Sequence, residues 1–135
     1  MEKTLNCVLL VDDDDLTNFL HRIVLEETAV SKNISIAETA KEALYMLGTP
    51  DDICSNPELI FLDLNMPGMD GWDFLQKFHD LKLTYKNNSL VYILTTSVNP
   101  DDKKKADGME DVAGFLHKPL TTEIIEEIVH RHFSA

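Results

Sequence analysis

Short apolar runs alternate with stretches of helical period along this chain. Val8–Val11, Ile34–Ala37, Leu59–Leu62, Leu90–Leu94 and Ala113–His117 are bounded runs of strand length. Such runs read as strands buried on both faces of a parallel sheet. Between them, apolar residues recur at helical spacing. Leu16, Phe19, Leu20, Ile23 and Val24 mark the stripe of the first helix, with Leu25 beside it; a stripe of that kind ordinarily faces a core. Ala40, Ala43, Leu44 and Leu47 mark the second, which Gly48 closes. For the third helix, Asp70 fits the N-cap, Asp73 follows three residues on, and Met69 with Phe74 fits the hydrophobic staple across the cap. Asn99 and Pro100 open the fourth and Gly108 ends it. The fifth follows Thr121, striped by Ile124, Ile125, Ile128 and Val129, with His130 and His132 in its last turn. The turn-rich segment Thr49–Pro57 reads as a surface loop. Strands alternating with helices predict βα units, right-handed crossovers and a parallel sheet covered on both faces.

Composition narrows the function classes. A chain of 135 residues is one domain by length and can bury roughly two-thirds of its unfolded surface. The 24 acidic against 12 basic side chains give a net charge of −12, which disfavours nucleic acid and anionic membrane as partners. Lys103-Lys104-Lys105 is the only basic run and reads as a solvated helix face. Glu2 and Lys3 precede a short apolar stretch that ends in four aspartates, so no signal peptide is read, and no apolar run is long enough to span a bilayer. Cys7 and Cys54 have neither a framework nor a metal spacing. Cys7 opens a core strand and reads as a buried, inert thiol suited to a reducing cytoplasm.

The polar residues that close the strands carry the chemistry. Val11 runs into Asp12-Asp13, Leu62 into Asp63, Leu94 into Thr95-Thr96-Ser97, and His117 into Lys118-Pro119. In an open α/β sheet, ligands bind beyond the carboxyl ends of the strands. Each piece has a plainer reading. An Asp before a helix is often a cap, as Asp14 or Asp15 is here. Asp63 could merely initiate the turn that Pro67-Gly68 completes. Hydroxyls in a βα turn commonly bond local backbone. Together, acids this close repel unless a cation joins them. If the first and third strands are neighbours, about 5 Å apart, one hard cation can bridge Asp13 and Asp63. Mg²⁺ suits that role, because it takes a few carboxylates and keeps water or phosphate oxygens as its other ligands. A calcium-loop reading of Asp12–Asp15 fails for want of the required Gly and bidentate Glu.

Val11-Asp12-Asp13, Leu62-Asp63 through Met66-Pro67-Gly68-Met69-Asp70-Gly71, Leu94-Thr95 and Lys118-Pro119 together resemble the receiver domain of two-component response regulators. The resemblance runs over essentially the whole chain, in order and at that family's spacing. It implies an α/β fold: a single (βα)5 doubly wound parallel five-stranded sheet in the flavodoxin-like order 2-1-3-4-5. It also implies one stand-alone, chemotaxis-regulator-like receiver over residues 1–135, with no output domain.

By that resemblance Asp63 accepts the phosphoryl group. Asp13 ligates Mg²⁺ (or Mn²⁺) directly, Asp12 does so mainly through water, and Asn65 offers its backbone carbonyl. Lys118 binds the phosphoryl group, Thr95 is the switch hydroxyl, and Phe115 is the aromatic that changes rotamer with it. The implied protein is a phospho-accepting signalling domain, not an enzyme with a separate substrate, although it catalyses its own phosphorylation and dephosphorylation. Its implied partners are a sensor histidine kinase or histidine phosphotransfer protein and a downstream protein target. The fourth helix, fifth strand and fifth helix form the implied output face, on a cytoplasmic monomer or phosphorylation-promoted dimer. Two rivals stand beside it. A haloacid-dehalogenase-like phosphatase wants an acid two residues after its nucleophile, where this chain has Asn65. A receiver-like adaptor that is never phosphorylated usually lacks an acid or the lysine, and none is missing here.

Overall fold

In a computed structural model the described residues are 4–49, 52–85 and 87–134. Glu2, Lys3, Pro50 and Asp51 therefore lie outside the described residues. The strands are β1 (Leu5–Val11), β2 (Ser31–Ala37), β3 (Leu59–Leu62), β4 (Leu90–Thr95) and β5 (Val112–His117). The helices are α1 (Asp15–Thr28), α2 (Ala40–Leu47), α3 (Gly71–Tyr85), α4 (Pro100–Asp107) and α5 (Thr122–Phe133). All strand pairs are parallel and the order is β2-β1-β3-β4-β5, the expected doubly wound sheet. β3 lies at its centre with all four residues buried, which is why its sequence is an uninterrupted apolar run.

Two cores follow from the two faces of the sheet. On one, Leu9, Val11, Ile60, Leu62 and Ile93 pack against Ala43 of α2, Phe74 and Phe78 of α3 and Ala106 of α4. On the other, Val8, Leu10, Phe61 and Leu94 pack against Leu25 of α1 and Ile125, Ile128 and Val129 of α5. The helix starts match their sequence signals. Asp14 caps α1 through the Thr17 amide. Asp70 and Asp73 close a reciprocal capping box at α3. Asn99 and Thr121 cap α4 and α5.

Three expectations are corrected. Leu16, Phe19, Leu20 and Ile23 do not face the core; they are 64, 60, 50 and 37% exposed. The buried face of α1 is instead Asn18, His21 and Leu25, so those four residues of the stripe point to solvent while Val24 and Leu25 pack on the core as expected. Cys7 is not a free thiol: it forms a disulfide with Cys54, and both residues are fully buried. The loop reading of Thr49–Pro57 holds only in part, since Cys54 and Pro57 are buried. Glu58 brings that segment against β1, through its amide to the Cys7 carbonyl at 3.2 Å and its carboxylate to the Asn6 and Cys7 amides at 2.8 and 3.1 Å. The basic run is exposed as expected, but Lys105 also lies over the Trp72 ring, 4.5 Å from its centroid.

Candidate functional site

Strand register delivers the acids to one place. Val11 of β1 pairs with Leu62 of β3, so the residues that follow them, Asp12 and Asp63, emerge side by side at the carboxyl end of the sheet. The Asp63 amide donates to the Val11 carbonyl at 2.9 Å, and the Asp12 amide to the Ala37 carbonyl at 3.1 Å. Gly71 holds Asp63 from the far side. Its amide donates to the Leu64 carbonyl at 3.0 Å, and a Cβ there would lie 2.7 Å from the Asp63 carbonyl oxygen and 2.8 Å from the Leu64 Cα. Only glycine allows α3 to start this close to the acid's own backbone. Gly68 has φ +75°, the positive value required at the third position of a type II turn.

Asp12, Asp13 and Asp63 each offer a carboxylate oxygen within 4.8 Å of the other two. Asp12 and Asp63 are buried and Asp13 is exposed. Lys118 arrives from the end of β5, where its amide donates to the Thr95 carbonyl at 2.9 Å and a cis peptide joins it to Pro119. Its ammonium lies 2.6 Å from Asp12 Oδ2 and 3.5 Å from Asp63 Oδ1. Burial pushes the Asp63 carboxyl above its ordinary range; Lys118 opposes that, the Asp12 charge adds to it, and the Asn65 backbone amide opposes it. Hard oxygen donors, one of them open to solvent, fit Mg²⁺ or Mn²⁺, which hold few carboxylates and retain water. The mutual repulsion of the acids gives a cation something to relieve.

The other predicted residues divide. Thr95 is fully buried at the end of β4 and its Oγ1 accepts the Ser97 amide at 3.0 Å. Ser97 Oγ in turn bonds Asp102 at 2.5 Å and accepts the Asn99 amide at 3.2 Å, tying the β4 end to α4. Asn65 is exposed in the loop after β3. Phe115 is not part of the acid cluster. It is half-buried on β5, against the core under α3 and α4, with its ring edge-on to His117 at 5.9 Å.

A family model for the response regulator receiver domain matches residues 8–130. The chain belongs to the response regulator receiver domain family. This receiver is 28% identical over 135 residues to the two-component response regulator ARR22 of Arabidopsis thaliana, covering 100% of the chain and 89% of that protein. It is 31% identical over 127 residues to the aerobic respiration control sensor protein ArcB of Escherichia coli, covering 92% of the chain but 15% of that protein. A two-component response regulator structure from Cytophaga hutchinsonii superposes with a TM-score of 0.84 at 30% identity, covering 96% of this chain and 97% of that one.

Two residues at the receiver's site were missed from sequence. Asn18 Nδ2 donates to the Asp12 carbonyl at 2.8 Å, and His21 Nε2 accepts the Leu120 amide at 3.2 Å. A signal existed. Asn18, His21 and Leu25 also recur at helical spacing, on a second stripe that the more apolar one obscured.

Proposed function

We propose that this receiver takes a phosphoryl group from a phosphohistidine onto Asp63, in a reaction that requires Mg²⁺ or Mn²⁺. The observation that carries the reading is the convergence of Asp12, Asp13, Asp63 and Lys118 at the carboxyl ends of β1, β3 and β5. The P–N bond to the donor imidazole breaks, a P–O bond to an Asp63 carboxylate oxygen forms, and the imidazole leaves and takes up a proton. Asp12, Asp13, Asp63 and the Asn65 carbonyl would hold the metal, which would supply charge neutralisation at the transferring oxygens. The Lys118 ammonium turns from the carboxylates to a phosphoryl oxygen. Thr95 Oγ1 accepts from Ser97 and so keeps its own proton to donate to another. Water later returns Asp63 to its free form at the same site.

The outward stripe of Leu16, Phe19, Leu20 and Ile23 begins three residues after Asp13, and it gives a histidine kinase or histidine phosphotransfer protein an apolar surface beside the acceptor. Movement of Thr95 and Phe115 carries the change to the α4-β5-α5 face, where a downstream protein or a second copy binds. The unit acts as a single receiver domain. A cytoplasmic setting belongs to the proposal, and complete burial of Cys7 and Cys54 shields their bond from attacking thiolates there.

Incubation with acetyl phosphate and Mg²⁺ should add one phosphoryl group by intact mass spectrometry. Asp63→Asn or chelation should abolish it. Labelling of Asp63→Asn would refute the acceptor, and an unlabelled wild type would favour the adaptor reading.

A further inference from the structure

Helix α1 is turned inside out relative to an ordinary amphipathic helix. Leu16, Phe19, Leu20 and Ile23 meet solvent, while Asn18 and His21 are 3 and 4% exposed and share the buried face with Leu25. Burying polar side chains is costly unless their hydrogen bonds return the loss, and both spend theirs on the two edges of the acid site. Asn18 grips the carbonyl of Asp12. His21 reaches across the fold to the Leu120 amide, 99 residues away in sequence and two residues beyond Lys118. A narrow cavity lined by Asp12, Asn18, His21 and Asp63 runs between these contacts.

Lysine needs such a support. Its stem is long and flexible, so the ammonium can hold 2.6 Å from Asp12 and 3.5 Å from Asp63 only if the backbone beneath it is fixed. The Thr95 carbonyl fixes that backbone from the β4 side, and His21 fixes it from the α1 side. Accepting an N–H through Nε2 requires the neutral imidazole to carry its proton on Nδ1. Asp12 and Lys118, which face one another, are thus both anchored to a single helix.

We propose that His21 is a positioning residue for Lys118. Its bond to the Leu120 amide holds the Lys118–Leu120 segment so that the ammonium is aimed at the phosphoryl-accepting carboxylate, and Asn18 holds the opposite edge of the site. This rests on the phosphoryl-transfer reading above.

The test compares His21→Leu, which removes the acceptor at similar bulk, with His21→Gln, which keeps an acceptor at the reach of Nε2. Each is made in the wild-type and Lys118→Met backgrounds. Labelling by acetyl phosphate at saturating Mg²⁺ should slow about fivefold in His21→Leu, as expected for one neutral hydrogen bond. It should recover to within about twofold of wild type in His21→Gln, with Mg²⁺ affinity unchanged in both. In the Lys118→Met background His21→Leu should slow nothing further, because coupled residues are not additive. Wild-type rates in His21→Leu, or the same slowing with and without Lys118, would overturn the proposal. A second readout uses no phosphodonor. Long-range ¹H–¹⁵N spectra of the wild type should show His21 as the Nδ1–H tautomer, and the Lys118 side-chain resonance should move in His21→Leu but not in His21→Gln. An Nε2–H tautomer, or an unmoved Lys118 resonance, would overturn the positioning role even if the wild type took no label.

Discussion

Replacing Lys118 with methionine keeps the bulk of the side chain and deletes its charge. The Lys118 side chain is 14% exposed and those of its partners Asp12 and Asp63 are 7% exposed each. At an effective dielectric of about 20, attraction at 2.6 Å and 3.5 Å is about 6 and about 5 kcal/mol before any desolvation is charged against it. Most of that gross gain is offset by removing the ammonium from water. What the substitution exposes is the cost of two facing, buried and uncompensated carboxylates, about 3–5 kcal/mol. In chelator, Lys118→Met should therefore unfold at markedly lower urea, followed through Trp72, the single tryptophan. The Asp63 carboxyl, which Lys118 now restrains, should titrate higher still. Mg²⁺ should narrow the gap, because a cation entering the variant meets no ammonium. The stabilisation per decade of Mg²⁺ above the dissociation constant is the same for both proteins, about 1.4 kcal/mol, so the variant's larger gain must come from tighter binding. Equal stability of variant and wild type in chelator, or weaker Mg²⁺ stabilisation of the variant, would show that Lys118 does not compensate these acids.

Three further outcomes are expected. Gly71→Ala should cost about 1–3 kcal/mol, because its Cβ meets the Asp63 and Leu64 backbone, and should slow labelling of Asp63; urea unfolding and labelling rates check both. Cys54→Ser should cost up to about 4 kcal/mol from reopening a loop with a 47-residue separation, and wild type reduced by dithiothreitol while unfolded in urea should show the same loss, the variant none. His21 is held below its ordinary value of 6.5 by burial first and by Lys118 second, against the pull of Asp12. The unfolded chain therefore binds the His21 proton more readily, and the contribution to stability is present above 6.5 and lost as pH falls through the lowered folded value. The urea midpoint of wild type minus that of His21→Leu should shrink over that descent; a constant difference would refute it.

The site was legible because a parallel sheet translates sequence position directly into place. A run such as Leu59–Leu62 can be read as a central strand, and whatever follows it lies at the carboxyl edge. Asp12, Asp63, Thr95 and Lys118 all obey that rule, and the Asp70–Asp73 box and the Asn99 cap need only neighbours in the chain. The misreadings share a different cause. Periodicity says that α1 has an apolar face but not what covers it, and the brighter stripe of Leu16 and Phe19 hid the dimmer one of Asn18 and His21. The Cys7–Cys54 bond depends on Glu58 drawing the segment before β3 against β1, a contact that a spacing of two cysteines does not encode. The proposed switching of Thr95 and Phe115 concerns the difference between two packings, and neither a sequence nor one conformation contains that difference.

The two-sided character of α1 has a consequence for how such proteins diverge. Outward positions answer to whatever surface approaches them, whereas inward positions answer to the chemistry. With the donor docked on the outward stripe as proposed, changes at Leu16, Phe19, Leu20 and Ile23 after a gene duplication would redirect one copy to a new donor while Asp12 and Lys118 stay where they were. On the proposed positioning role, a change at Asn18 or His21 would have no such freedom, since it would disturb the reaction for every donor alike. Insulation between parallel signalling lines can thus be rewritten on one side of a single helix, at the cost of a few surface substitutions and none in the machinery beneath.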